Sequence, residues 1–160
     1  MIDPLKLTSH LNRVGEDQFL EDWPGTMDQH PVYFFDELET VPVPGNVNHA
    51  MVIRRFRVWI RDLGCIVTIA PGFEFDWDSV PRLPVVYLLF KGRIKEEACL
   101  HDWLYRYARA CGKDVTWWQA ERALADAMKA MRRRWYWRVP INTGTALGGW
   151  IPWRRYRRAA

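Results

Sequence analysis

The sequence predicts an α+β fold: a small antiparallel sheet with a hairpin, packed against two antiparallel helices. Three observations predict it. Residues 51–60 alternate with a period of two and are followed, across a short turn, by a second β-rich run. Residues 94–111 carry apolar positions at helical spacing. Thr116-Trp117-Trp118-Gln119 matches the S/T-x-x-E/Q box, which satisfies the first free amides of a second helix.

Taken in order, residues 1–30 mix turn formers with isolated apolar positions and read as an N-terminal arm. Pro31–Val41 reads as a strand, followed by a loop carrying Pro42, Pro44 and Gly45. In Met51–Ile60, Val52, Arg54, Phe56, Val58 and Ile60 share one side of a single strand. Asp62, Leu63 and Gly64 supply a turn, and Cys65–Ala70 returns as the hairpin's second strand. Pro71 and Gly72 end that strand and open an ordered loop to Pro84, with a short apolar run at Val85–Phe90. Ile94–Cys111 reads as a helix buried through Leu100, Leu104, Tyr107 and Cys111, with Gly112 as its stop. The second helix continues through Ala120, Leu124, Met128 and Met131 toward Pro140.

A chain of 160 residues suits one domain. We place it at 31–140, flanked by the arm and by a basic, Trp/Arg-rich C-terminal extension at 141–160. Residues 127–160 hold nine basic residues and no acid, whereas the rest of the chain holds 14 basic and 19 acidic residues. Such a dipolar chain is suited to an acidic protein, nucleic acid or another anionic surface at its C-terminal end. Cys65, Cys99 and Cys111 are odd in number and show no C-x-x-C pairing, so the spacing indicates neither a disulfide framework nor a zinc ribbon. A reducing host cytoplasm is the expected place of folding. No stretch approaches the roughly 20 apolar residues of a spanning helix.

The segments Gly72–Arg82 (GFEFDWDSVPR), His101–Tyr105 (HDWLY) and Ala120–Met128 (AERALADAM) resemble, in that order, a phage and prophage family known as domain of unknown function 1353. Its pattern is G-F-x-T-D-x-A-S-x-P-R, then H-D-x-L-Y, then A-D-x-x-F. The resemblance covers roughly residues 50–140. Here Phe75 stands in place of the threonine and Asp78 in place of the alanine, and Glu121 falls at the acidic position of the third motif. The resemblance implies a phage origin, and with it other proteins of a virion or lysis assembly as partners and the virion as a destination.

The motifs gather Asp76, Asp78, Ser79, His101, Asp102 and Glu121 as a candidate polar site. In one reading a carboxylate orients His101 as a general base toward water or Ser79, with Asp102 as orienter or metal ligand and Asp76 and Glu121 completing a hydrolase site. Glu97 and Tyr105 lie one turn either side of His101 on its face. Asp76, Asp78, His101 and Asp102 also form an oxygen-rich set with one imidazole, suited to zinc, magnesium or calcium, at no dedicated metal-motif spacing. Arg82 is a candidate partner for Asp76 or Asp78. The alternative is structural: His101 and Asp102 bond the backbone of the 72–84 loop and hold it on the helix. H-D-x-x-Y also resembles the helix motif of secreted phospholipases A2, without the flanking cysteines and glycine-rich calcium loop that make that motif specific.

The C-terminal end interleaves cations with aromatic surfaces in Arg132-Arg133-Arg134-Trp135-Tyr136-Trp137 and in Trp150 and Trp153-Arg154-Arg155. Tryptophan and arginine are enriched at interface hot spots, and the same mixture suits single-stranded nucleic acid. The leading expectation is an assembly component, tail-associated or from a lysis module, that docks through this end. A hydrolase acting on cell-wall peptide or ester bonds is the rival.

Overall fold

The computed structural model describes residues 29–76 and 94–159. Nearly all of the N-terminal arm, the loop beyond Asp76 and the run Val85–Phe90 lie outside the described residues. The described residues form two three-stranded antiparallel sheets, a two-stranded one and four helices, so the predicted α+β class holds. The first sheet takes the order β1-β4-β5, with β1 Val32–Phe34, β4 Phe56–Ile60 and β5 Cys65–Ile69. The second takes the order β2-β3-β6, with β2 Thr40–Val43, β3 Asn46–Val52 and β6 Glu74–Asp76.

The single strand expected over 51–60 is two strands in different sheets. Val52 and Phe56 are both fully buried, and continued alternation would drive Arg54 between them into the core. The chain breaks at 53–55 instead, and Arg54 pairs with Glu39 at the surface, 3.0 Å away. The strand expected over 31–41 divides for a related reason. Asp36 turns inward to accept the Arg57 amide at 2.8 Å and its guanidinium at 2.9 Å, pinning the β1–β2 connection to β4. The expected loop around Pro44 and Gly45 is the tight turn of the β2–β3 hairpin, with Gly45 at φ 81°. The β4–β5 hairpin is as expected, registered Val58 to Val67 and Ile60 to Cys65, with Gly64 at φ 62° in its turn.

Helix α1 runs Lys95–Tyr107 and stops at Ala108, which takes the left-handed conformation at φ 43°. The stop therefore falls four residues before Gly112. Cys111 and Gly112, both at positive φ, instead form the turn of a two-residue-strand hairpin, β7 Arg109–Ala110 and β8 Lys113–Asp114. Helix α2, Trp117–Ala130, opens on the predicted capping box: the Gln119 amide donates to Thr116 Oγ1, and Gln119 Oε1 accepts the Thr116 amide at 2.8 Å. Contacts at both ends make α1 and α2 antiparallel. Trp117 at the start of α2 reaches Tyr105 near the end of α1, and Arg133 beyond α2 reaches Glu97 near the start of α1.

The core lies between sheets and helices. Val32, Val58, Val67, Ile69, Ala50, Val52 and Phe75 meet Leu100, Trp103 and Leu104 of α1 and the small residues Ala120, Ala123 and Ala127 of α2. Each large side chain buried there contributes about 1.5–3 kcal/mol, and the alanines let α2 approach closely. Beyond the core, α3 (Trp135–Gly148) and α4 (Trp150–Ala159) form the end of the chain.

Cys65 and Cys111 are joined in a disulfide, with a Cα–Cα distance of 6.3 Å. The sequence reading, which found no pairing, is corrected here. The partners lie 46 residues apart and meet because the β7–β8 hairpin docks beside β5, a tertiary relation that local spacing does not encode.

A buried polar latch and an exposed aromatic face as candidate functional sites

The H-D-x-x-Y spacing puts His101 and Tyr105 on one face of α1, their ring centroids 4.2 Å apart. That face meets α2, where Glu121 lies two residues after the capping box. His101 Nε2 donates to Glu121 Oε1 at 3.0 Å, and the Tyr105 hydroxyl donates to the same oxygen. Thr145 Oγ1, arriving from α3, donates to Glu121 Oε2 at 2.7 Å. Trp117 Nε1 donates to the Tyr105 hydroxyl at 2.8 Å. His101, Tyr105, Glu121 and Thr145 are all buried.

The other ring nitrogen of His101, Nδ1, faces Asp102 Oδ1 at 4.0 Å. Asp102 Oδ2 in turn accepts the Asp76 backbone amide at 3.0 Å, fastening the end of β6 to α1. His101 is thus bonded to Glu121 and adjoins Asp102, which holds the Asp76 backbone amide, whereas Asp78, Ser79 and Arg82 lie outside the described residues. Among the described residues, no group of three His, Cys, Asp or Glu side chains is placed to hold a metal ion.

Electrostatics suit a latch. Burial raises the Glu121 carboxyl, but the bonds from His101, Tyr105 and Thr145 outweigh it and hold the group below the ordinary value of 4.5. Burial, then the neighbouring carboxylate, pushes the Tyr105 phenol far up, so it remains a donor. Both oxygens of Glu121 are occupied and both nitrogens of His101 face carboxylates. His101 Nε2 is held by Glu121, while Nδ1, at 4.0 Å from Asp102 Oδ1, lies beyond hydrogen-bond distance of that carboxylate.

The sequence placed a second carboxylate on the His101 face but did not foresee its burial or its partner. Glu97, one turn before His101, is fully enclosed and takes a two-pronged interaction from Arg133, Nε to Oε1 at 2.6 Å. Arg133 is therefore an internal tie, unlike its neighbours Arg132 and Arg134. A carboxylate on the buried face of a helix is the signal that a cation must come from elsewhere. Thr145 and Trp117 had no comparable signal, since only helix docking brings them to Glu121 and Tyr105.

The basic aromatic end divides in two. Trp153 is buried edge-on against Tyr105, with ring centroids 5.2 Å apart. Arg157 stacks on Trp153 and donates to the Tyr105, Arg106 and Tyr107 carbonyls at 2.6–3.3 Å, closing the C-terminus of α1. Trp118 and Trp135 are each 69% exposed, and Tyr136, Trp150 and Tyr156 also face outward. Arg154 covers the Trp150 ring at 4.8 Å, Arg134 lies over Tyr136, and Arg132 and Arg155 are exposed. Trp137 lies within α3, its side chain outside those described.

Together these features define a small α+β domain whose central helix is latched to a sheet edge and to two neighbouring helices, with exposed aromatic and arginine side chains on the helices that follow. The chain belongs to the family described as protein of unknown function (DUF1353), whose model matches residues 51–140, more than half its length. No curated protein and no solved structure matches the chain. Among the described residues, no helix is long and apolar enough to cross a membrane.

Proposed function

We propose that this chain is an assembly component of a bacteriophage or prophage, tail-associated or from a lysis module, and that it docks an acidic protein neighbour through its exposed aromatic and arginine face. The observation that carries this reading is a contrast in availability. The His101–Glu121 pair is buried and internally bonded, while Trp118, Trp135, Tyr136, Trp150 and Ile151 face outward. Large aromatic side chains left exposed beside arginines, as Trp150 is beside Arg154 and Tyr136 beside Arg134, are the surface expected of a docking site.

Charge selects the partner. No acidic residue falls anywhere in 127–160, so a carboxylate-bearing protein surface meets cations and no like charge from that segment. The motif pair GFEFDWDSVPR and HDWLY, which resembles the phage family, supports the phage setting. A hydrolase is supported less, because His101 and Glu121 are buried and bonded to each other.

The test is incorporation. Particles purified on a density gradient from an induced, prophage-bearing culture are expected to contain the chain at fixed stoichiometry. A Trp150→Ala/Arg154→Ala variant, melting like wild type, is expected to be lost from them. Absence of the wild-type chain from particles and lysis complexes, or undiminished retention of that variant, overturns the reading.

A further inference from the structure

We propose that the Cys65–Cys111 bond is a thiol-exchange clasp that closes when the protein meets an oxidising compartment and opens, with the fold retained, in a reducing one. Three observations carry it.

The first is position. The bond spans 46 residues, and the loop it closes contains β6 and all of α1, hence Asp76, His101 and Asp102. One covalent link between β5 and the β7–β8 turn therefore fences the segment that brings His101, Tyr105 and Asp102 to the polar latch. Cross-linking a long loop restricts the unfolded chain and stabilises the folded one.

The second is the conformation of Cys111. It sits at φ 51° beside Gly112 at φ 77°, two consecutive left-handed residues in a tight hairpin turn. Asparagine or glycine is preferred at such a position, and cysteine brings no conformational advantage. Its sulfur reaches back to the sheet.

The third is accessibility and reversibility. Cys111 is exposed and Cys65 is half-buried, so small thiols can reach the pair. Cys111 Sγ lies 3.1 Å from the Ile66 carbonyl oxygen, which gives the reduced thiol an acceptor without moving the hairpin. Cys99, in contrast, is fully buried, and burial pushes its thiol well above the usual range, which keeps it out of exchange.

The chemistry balances with a small-molecule disulfide such as oxidised glutathione. The Cys111 thiolate attacks it, forming a mixed disulfide and releasing one glutathione thiolate. The Cys65 thiolate then displaces the second, and the two cysteine protons pass to solvent and the departing thiols. Reduction runs the steps backward. Disulfides persist at virion and cell surfaces and are rare in reducing cytoplasm, so the clasp closes after synthesis.

The experiment compares the full chain equilibrated with oxidised glutathione and with dithiothreitol, using iodoacetamide labelling located by mass spectrometry, circular dichroism and thermal melts. Oxidised protein is expected to take no label in its native state. Reduced protein is expected to be labelled at Cys65 and Cys111 but not Cys99, to keep its spectrum at 25 °C, and to melt on the order of 10 °C lower. Cys65→Ala is expected to melt like reduced wild type and to ignore the reductant; should it fail to fold, the reduced wild-type melt decides alone. Labelling of both cysteines after oxidation, or a melting temperature indifferent to reductant, overturns the proposal.

Discussion

Glu121 on α2 accepts His101 Nε2 from α1 at 3.0 Å, while its other oxygen accepts Thr145 Oγ1 from α3 at 2.7 Å. One carboxylate therefore sets the spacing of three helices. Glu121→Ala strands two hydroxyls and an imidazole in a buried space and is expected to destabilise the fold by about 3–5 kcal/mol. Glu121→Gln keeps one acceptor oxygen but turns an amide toward a donor, with an expected loss of about 1–3 kcal/mol. Urea unfolding curves check both. A Glu121→Gln protein as stable as wild type removes the latch.

Acid acts on the two buried glutamates in opposite directions. Glu121 titrates below its ordinary value of 4.5 in the folded state, so its stabilisation is present above pH 4.5 and is lost as pH falls through the lowered pKa. Glu97 is raised above 4.5 because burial outweighs the pull of Arg133, so its contribution is favourable below pH 4.5 and is lost as pH rises through the raised pKa. Urea midpoints measured from pH 3 to pH 7 are expected to fall less steeply on the acid side in Glu121→Gln than in wild type. Identical acid limbs would remove Glu121 from the linkage.

Gly149 joins α3 to α4 where a side chain has no room. A Cβ there would overlap the Tyr105 hydroxyl and the Thr145 carbonyl oxygen. Gly149 has an ordinary helical φ of −71°, so alanine meets a steric obstacle and no backbone penalty. Gly149→Ala is expected to destabilise by about 1–3 kcal/mol. Adding Tyr105→Phe removes one of the two obstacles and is expected to make the pair less than additive in a double-mutant cycle.

These relationships were unequally legible in the sequence. The Thr116–Gln119 capping box and the Leu100–Leu104 stripe are local, and both appeared where the pattern placed them. The motif order also assembled Asp76, His101, Asp102 and Glu121, which the structure connects. What escaped depends on docking. Thr145 lies 24 residues from Glu121, and Cys111 lies 46 from Cys65, with no periodicity linking either pair. Periodicity even misled at Arg54, which satisfies the alternation of 52, 54 and 56 while chemistry excludes it from the core. Trp153 and Arg157 sat within a basic aromatic run that reads as surface throughout, and only the end of α1 reveals which members turn inward.

Arg157 supports the final prediction. Its guanidinium fork spans the Tyr105, Arg106 and Tyr107 carbonyls, acceptors that have no helical partner at a C-terminus, and its plane stacks on Trp153 at 4.8 Å. Arg157→Ala loses these bonds and the stacking together, with an expected cost of about 2–3 kcal/mol. Arg157→Lys keeps the charge but offers a single ammonium, so it is expected to recover less than half. Because α4 is held to α1 through this residue and Trp153, hydrogen exchange in Arg157→Ala should accelerate first at Trp150–Ala159 and leave β4 and β5 protected. Uniform acceleration across the sheet would mean that α4 and the core unfold as one unit.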